Sequence, residues 1–156
     1  MKSRKLAVLA LLVGSLTFGA SSALAGGNGA TTFTQNDHGA TDSFIDVVPC
    51  TSTPAAITIT YNDVFHGTIN KNGSWFTGTM TGTFVATTLT ANPVTYTGHF
   101  QMWFGDENNK QNDVEHATAN IHGTGSDGST ISFHENAQAA MNANGVITVS
   151  FDKTSC

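Results

Sequence analysis

Asn72-Gly73-Ser74-Trp75-Phe76-Thr77-Gly78-Thr79-Met80-Thr81-Gly82-Thr83-Phe84 is the stretch that sets the fold. Thr77, Thr79, Thr81 and Thr83 take every second position, and Phe76, Gly78, Met80, Gly82 and Phe84 take the others. A period of two sends these sets to opposite faces of one strand, the first polar and the second apolar. Asn72-Gly73 at its head is a two-residue hairpin signal, so a second strand runs back along it. β-branched and aromatic residues dominate both arms, as strands prefer.

The same alternation extends in both directions. It predicts eight strands, near 30–36, 41–48, 55–70, 74–89, 94–104, 113–124, 129–141 and 146–153. Ser126-Asp127-Gly128 and Ala143-Asn144-Gly145 suit three-residue loops with glycine in the left-handed position. Asn92-Pro93 marks a tight connection, and Gly105 to Asn112 a longer polar one. From the third strand onward each connection is a hairpin, which gives an antiparallel meander.

Register follows from asking that one face stay apolar across every pair. Ile69 then meets Phe76, Phe65 meets Met80, Phe84 meets Phe100, and Met80 meets Phe104. Phe100 meets Ala117, Tyr96 meets Ile121, and Ile121 meets Phe133. Met141 meets Ile147, and Ala137 meets Phe151. Gly67, Gly78, Gly82, Gly98, Ala119, Ala137 and Ala139 interrupt the large residues of this face, and such small positions let a sheet curl. The expected architecture is an eight-stranded antiparallel barrel, with a β-sandwich as the alternative.

The chain begins with a different pattern. Lys2, Arg4 and Lys5 precede the apolar run Leu6 to Phe18, and Ala23-Leu24-Ala25 closes it as a small-x-small site. This is the pattern of a cleaved export signal over residues 1–25. Residues 26–30 read as a flexible leader, and 31–156 as a single domain. Without the signal the chain keeps three lysines, Lys71, Lys110 and Lys153, against all eleven acids, a net charge of −8. So acidic a chain, with no basic cluster, is unsuited to nucleic acid or an anionic membrane surface. The expected location is extracellular, and the expected state a monomer. Cys50 and Cys156 are the two cysteines, and in an oxidising compartment they pair.

Tyr96-Thr97-Gly98-His99-Phe100, Trp103-Phe104-Gly105, His122-Gly123-Thr124-Gly125-Ser126-Asp127-Gly128-Ser129, Phe133-His134-Glu135 and the ending Val149-Ser150-Phe151-Asp152-Lys153 with Cys156 have a further use. Through them the chain resembles a group of small uncharacterised secreted β-rich proteins of Gram-positive bacteria. The resemblance implies export and a β-fold, and no activity. In outline the expected barrel is similar to lipocalin-like and allene-oxide-cyclase-like barrels, in shape alone.

Four constellations bear on chemistry. Glu135 is expected on the inner face, opposite Ala119 and Lys153, and Glu115 lies on the same face. A desolvated Glu135 has the character of an acid or base for an isomerase or cyclase, with Lys153 as its partner. An ion pair between them at the barrel rim is the bland alternative. On the polar face, Trp75 and Trp103 with His99, Gln101 and His116 form a surface suited to a glycan. His99 with His116, and His122 with His134, stand in diagonal pairs. Such pairs are about 7–8 Å apart at the backbone, too far to make a strong metal site. Gly105 to Asp113 is rich in oxygen ligands for calcium but lacks the EF-hand pattern and carries Lys110. No nucleophile elbow, phosphate loop or CxxC is present, and nothing in the pattern asks for a cofactor.

The sequence thus points to a secreted, non-catalytic binding module for a carbohydrate or small apolar ligand, with the Glu135 enzyme as the alternative. A pocket that reaches Glu135 and is left open by Lys153 favours the enzyme. An interior filled by Phe65, Phe84, Phe100, Phe133 and Phe151 moves ligand work outside, to Trp75 and Trp103.

Overall fold

A computed structural model describes residues Gly29–Cys156; the expected export signal and most of the expected leader lie outside the described residues. Seven strands form one antiparallel sheet in meander order: β1 Thr31–Val48, β2 Thr53–Asn70, β3 Gly73–Thr88, β4 Thr95–Asn109, β5 Asn112–Gly125, β6 Thr130–Asn142 and β7 Ile147–Ser155. No ladder joins β1 to β7 among the described residues, so hydrogen bonding leaves the sheet open. It is a single curled sheet, neither a closed barrel nor a sandwich.

Seven strands replace eight because the expected first two are one. Residues 37–40 looked like a break, but the chain passes through them with a bulge between His38 and Ala40. Gly39 takes φ 65° there, in the left-handed region, which moves the inward residues from odd to even numbers. Phe33 and Phe44 therefore both face inward although their numbers differ in parity.

The hairpin turns are tighter or wider than their composition implied. At the β2–β3 turn Asn70 pairs with Gly73, and the Asn70 side chain accepts the Asn72 N–H. Phe65 then faces Gly78 rather than Met80. The β3–β4 loop is wider, with Thr87 opposite Thr95, and the Thr88 hydroxyl accepts the Val94 N–H. Phe100 faces Gly82. The β4–β5 turn is only Lys110-Gln111, stapled by the Asn109 side chain, which accepts the N–H groups of Gln111 and Asn112. Phe100 thus faces Ile121, while Ile121 faces Phe133 as expected. Each shift is by an even number of residues, so the face assignments survive.

The last hairpin breaks that pattern. Met141 does face Ile147, but the register slips by one residue between Ala140 and Met141. Beyond the slip Phe151 pairs with Gln138 and Lys153 with Asn136, so both turn to the outer face. Asp152 and Thr154 turn inward in their place.

The core gathers on the inner face around Val48, Ile59, Tyr61, Met80, Phe84, Tyr96, Phe100 and Ile131. Burying an aliphatic or aromatic side chain of this kind contributes about 1.5–3 kcal/mol. A second inner cluster, Phe33, Phe65, Phe76 and Phe104, packs at the opposite end, with ring centroids 5.6–6.2 Å apart. Gly78 lies under the Phe104 ring, where a Cβ would collide with it.

Candidate functional site

The inner face holds a cavity of about 340 Å³ at the end of the sheet that carries the β1–β2 loop. That is within the size range of small-molecule pockets. Phe44 and Ile57, Phe84, Phe100 and Met102, Ile121, and Ile131 and Phe133 bring apolar side chains from β1 through β6 to its wall. Pro49, Cys50 and Ser52 supply part of the rim from the β1–β2 loop, and Asp152 and Thr154 close it from β7. Both edges of the open sheet therefore border this cavity. Cys50 and Cys156 are disulfide-bonded beside it, with Cα atoms 5.6 Å apart. Cys50 and Ser52 sit at φ 69° and 56°. Such left-handed residues cost on the order of 1–3 kcal/mol each, and the bends are held by Val48 C=O accepting from Thr51 and Ser52 N–H.

Glu135 projects into this cavity from β6 and is only 7 % exposed. It makes no hydrogen bond or ion pair among the described residues. The expected Lys153 partner is absent because the slip in β7 puts that lysine on the other face. Ala119 does stand opposite Glu135, and its other neighbour is Met102. Burial pushes the Glu135 carboxyl above the usual range, and the Asp152 charge adds to the rise. Asp46 enters the lining from β1, across the gap between the sheet edges. Three carboxylates thus border the cavity, with no lysine or histidine among its lining residues. Asp46 and Asp152 escaped the sequence reading. Asp152 has the inward position only because of the β7 slip, which no turn signal announces.

This asymmetry extends over the whole inner face. The registers put Asp37, Asp42, Asp63 and Asp106, Asp113, Glu115 on it as well, so nine of the eleven acids face inward. Asp63 is buried; it accepts the Asp37 N–H, and desolvation raises its pKa. Tyr61 donates its hydroxyl to Asp42 at 3.0 Å, and burial pushes its own pKa to about 12. Asp106 faces Glu115 across the β4–β5 ladder. Burial, then the charges of Asp113 and Glu115, push Asp106 to about 6.

These raised carboxyls give stability an unusual pH dependence. A carboxyl with a higher pKa in the folded state than in the unfolded one binds its proton more tightly when folded. Its stabilising effect is complete below the unfolded value, near 4, and is lost as pH rises through the folded value, about 6 for Asp106. Asp127 is shifted the other way by the Ser129 hydroxyl and N–H; its contribution is lost only as pH falls below the usual aspartate range. The melting temperature is therefore expected to rise by several degrees between pH 7.5 and pH 5, and by less in Asp106→Asn. Thermal melts at the two pH values test this, and a lower melting temperature at pH 5 contradicts it.

The outer face carries the other candidates. Trp75 and Trp103 are 47 % and 43 % exposed. Trp103 pairs with Thr79, four positions along β3 from Trp75, a separation on the order of 13 Å. The His116 ring packs on Trp103 at 4.4 Å between centroids, and Gln101 points to the same face between Thr81 and Asn120. His99 faces His122 directly, with ring centroids 5.6 Å apart, and so is not diagonal to His116. His134 Nδ1 donates to Asn120 Oδ1 at 2.7 Å. Among the described residues no three metal-ligating side chains converge. The oxygen-rich stretch 105–113 is strand on both sides of its turn, so Asp106 and Glu107 point to opposite faces and form no calcium cage.

Comparisons of the chain with protein-family models, curated proteins and solved structures returned no match.

Proposed function

We propose that the protein is an exported binding module that takes a small, largely apolar ligand into the cavity on its inner face. The observation that carries this is the cavity itself, walled by Phe84, Phe100, Ile121 and Phe133 and spanning the two edges of the sheet. The basic, apolar and small-residue segments of residues 1–25, the disulfide, and the resemblance to small secreted proteins support export. No helix among the described residues is long and apolar enough to cross a membrane. Of the two ligand classes expected from sequence, the apolar one is favoured over the glycan. The inner cavity offers enclosure on several sides, whereas Trp75 and Trp103 lie far apart and Trp103 is already covered in part by the tilted His116 ring. N-Phenyl-1-naphthylamine, a neutral fluorescent probe, is expected to bind at one site. Ala119→Phe should fill the cavity and abolish the signal, while Trp75→Ala with Trp103→Ala leaves it unchanged. The reverse pattern would move the site to the outer face.

One observation favours a second reading. The cavity reaches Glu135 and Lys153 leaves it open, which is the arrangement an isomerase or cyclase of the Glu135 type requires. A buried carboxyl whose pKa is raised by desolvation suits proton transfer. This reading requires turnover of an enolisable carbonyl or epoxide substrate that vanishes in Glu135→Gln while probe binding persists.

A further inference from the structure

We infer that the ligand of this cavity is an organic cation, an ammonium group carried on an apolar body, with its charge held by Glu135 and Asp152 and its body against Phe84, Phe100, Ile121 and Phe133. The inference rests on the cavity being the ligand site and adds the chemical class of what fills it.

The charge pattern carries it. Every ionisable group in the lining is a carboxylate, and they come from three strands: Asp46 on β1, Glu135 on β6 and Asp152 on β7. None of the three lysines of the described chain reaches the cavity: Lys71 and Lys110 are in hairpin turns and Lys153 faces outward. Glu135 is the sharpest element. It is more than nine-tenths buried, aims into the cavity, and has no partner. An unpaired buried carboxylate is strongly disfavoured unless it takes up a proton or meets a cation. Asp152, one of its neighbours, adds repulsion rather than relief. A cation beside these two groups removes both penalties together.

The walls exclude the simpler cations. A bare divalent ion needs several oxygen ligands at close range, and no group of three metal-ligating side chains converges among the described residues. The remaining wall is aromatic and aliphatic, which rewards an apolar body and gives an ammonium group aromatic faces to lie against. A fully neutral ligand would seal Glu135 from water without neutralising it. An anion would meet three like charges. The six further acids of the inner face add a long-range field of the same sign, focused by the concave sheet, that draws cations in.

The site also bridges the open seam of the sheet. Asp46 belongs to the first strand and Asp152 to the last, and no ladder joins those strands. A bound cation attracts both edges at once, so binding and closure are expected to reinforce each other.

A matched series of ligands tests the inference on the oxidised protein. Octyltrimethylammonium, octan-1-ol and octanoate share an apolar chain and differ in charge. Calorimetric titration at low salt should give the order cation, alcohol, anion, with the cation at least tenfold tighter than the alcohol. Added salt should narrow that gap. Glu135→Gln should weaken the cation at least tenfold and leave the alcohol unchanged or tighter, and Asp152→Asn should act in the same direction more weakly. Thermal melts of each variant confirm that it folds. Alcohol binding as tight as cation binding, or a cation affinity unmoved by Glu135→Gln, overturns the inference and leaves the apolar-cavity reading standing. Failure of all three compounds to bind overturns both.

Discussion

Reduction of the Cys50–Cys156 disulfide is expected to lower the melting temperature by roughly 10–20 °C. The two cysteines are 106 residues apart, so the bond closes a loop across nearly the whole domain. Chain entropy for a loop of that length is worth about 4–5 kcal/mol. For a domain of this size each kcal/mol moves the melting temperature by a few degrees. The structure gives this bond an unusual share of the work. In a closed barrel the first and last strands would also be held by a hydrogen-bond ladder, and here no such ladder forms. Cys50 stands in a left-handed loop at the end of β1, and Cys156 just past the end of β7, so the disulfide is the covalent tie between the two sheet edges. The same loop lines the cavity through Pro49, Cys50 and Ser52. Probe binding should therefore weaken on reduction at temperatures well below the melt. A Cys50→Ser, Cys156→Ser double variant should reproduce both effects without reductant. A shift of only one or two degrees would mean that the seam is held by contacts other than the disulfide.

The sequence made the faces legible and left the seam hidden. Alternation in β3 through β6 fixed which residues face inward, and it survived three wrong registers because each error was an even number of residues. The errors came from turns. Asn72-Gly73 drew the β2–β3 turn one residue too late, and the long polar stretch after Phe104 concealed a two-residue turn at Lys110-Gln111. Composition indicates a turn well and its length poorly. The two bulges were beyond reach, because a bulge is set by how neighbouring strands curl. One at Gly39 fused two expected strands; the other at Ala140 reversed β7. That second slip decided the site. It put Thr154 opposite Glu135 in place of Lys153 and brought Asp152 inward on the diagonal, so like charges gather where an ion pair was the bland alternative. The inward position of Glu135 opposite Ala119 was legible from alternation alone. Most of the nine inward acids were also within reach, since face assignment alone puts Asp63, Asp106 and Asp113 beside Glu115 and Glu135 on the inner face.

Phe84→Ala is expected to cost about 3–5 kcal/mol, the upper range for truncating a buried aromatic residue. Phe84 is 7 % exposed and belongs to both the core and the cavity wall. Its ring does more than fill volume. Phe84 pairs with Gly98 on β4, and Gly98 pairs with Gly123 on β5, so two glycines lie side by side in adjacent strands. The ring covers both: a Cβ placed on either one would run into it. Two strands thus contribute no side chains at this level, and one aromatic ring from a third supplies the packing. Removing it strips cover from two backbones and merges the space it held with the cavity. A double-mutant cycle separates this arrangement from ordinary core packing. At Gly123 the closest obstacle to a Cβ is the Phe84 ring. Gly123→Ala should therefore be clearly destabilising in the native background and much milder beside Phe84→Ala, a coupling that contact pairs commonly show. At Gly98 the closest obstacle is the His122 carbonyl, which is backbone and cannot move aside. Gly98→Ala should stay damaging with or without Phe84. Urea unfolding of the single and double variants reads both cycles. Equal coupling at the two glycines would show that the ring treats them alike and would overturn the assignment of the Gly98 constraint to backbone.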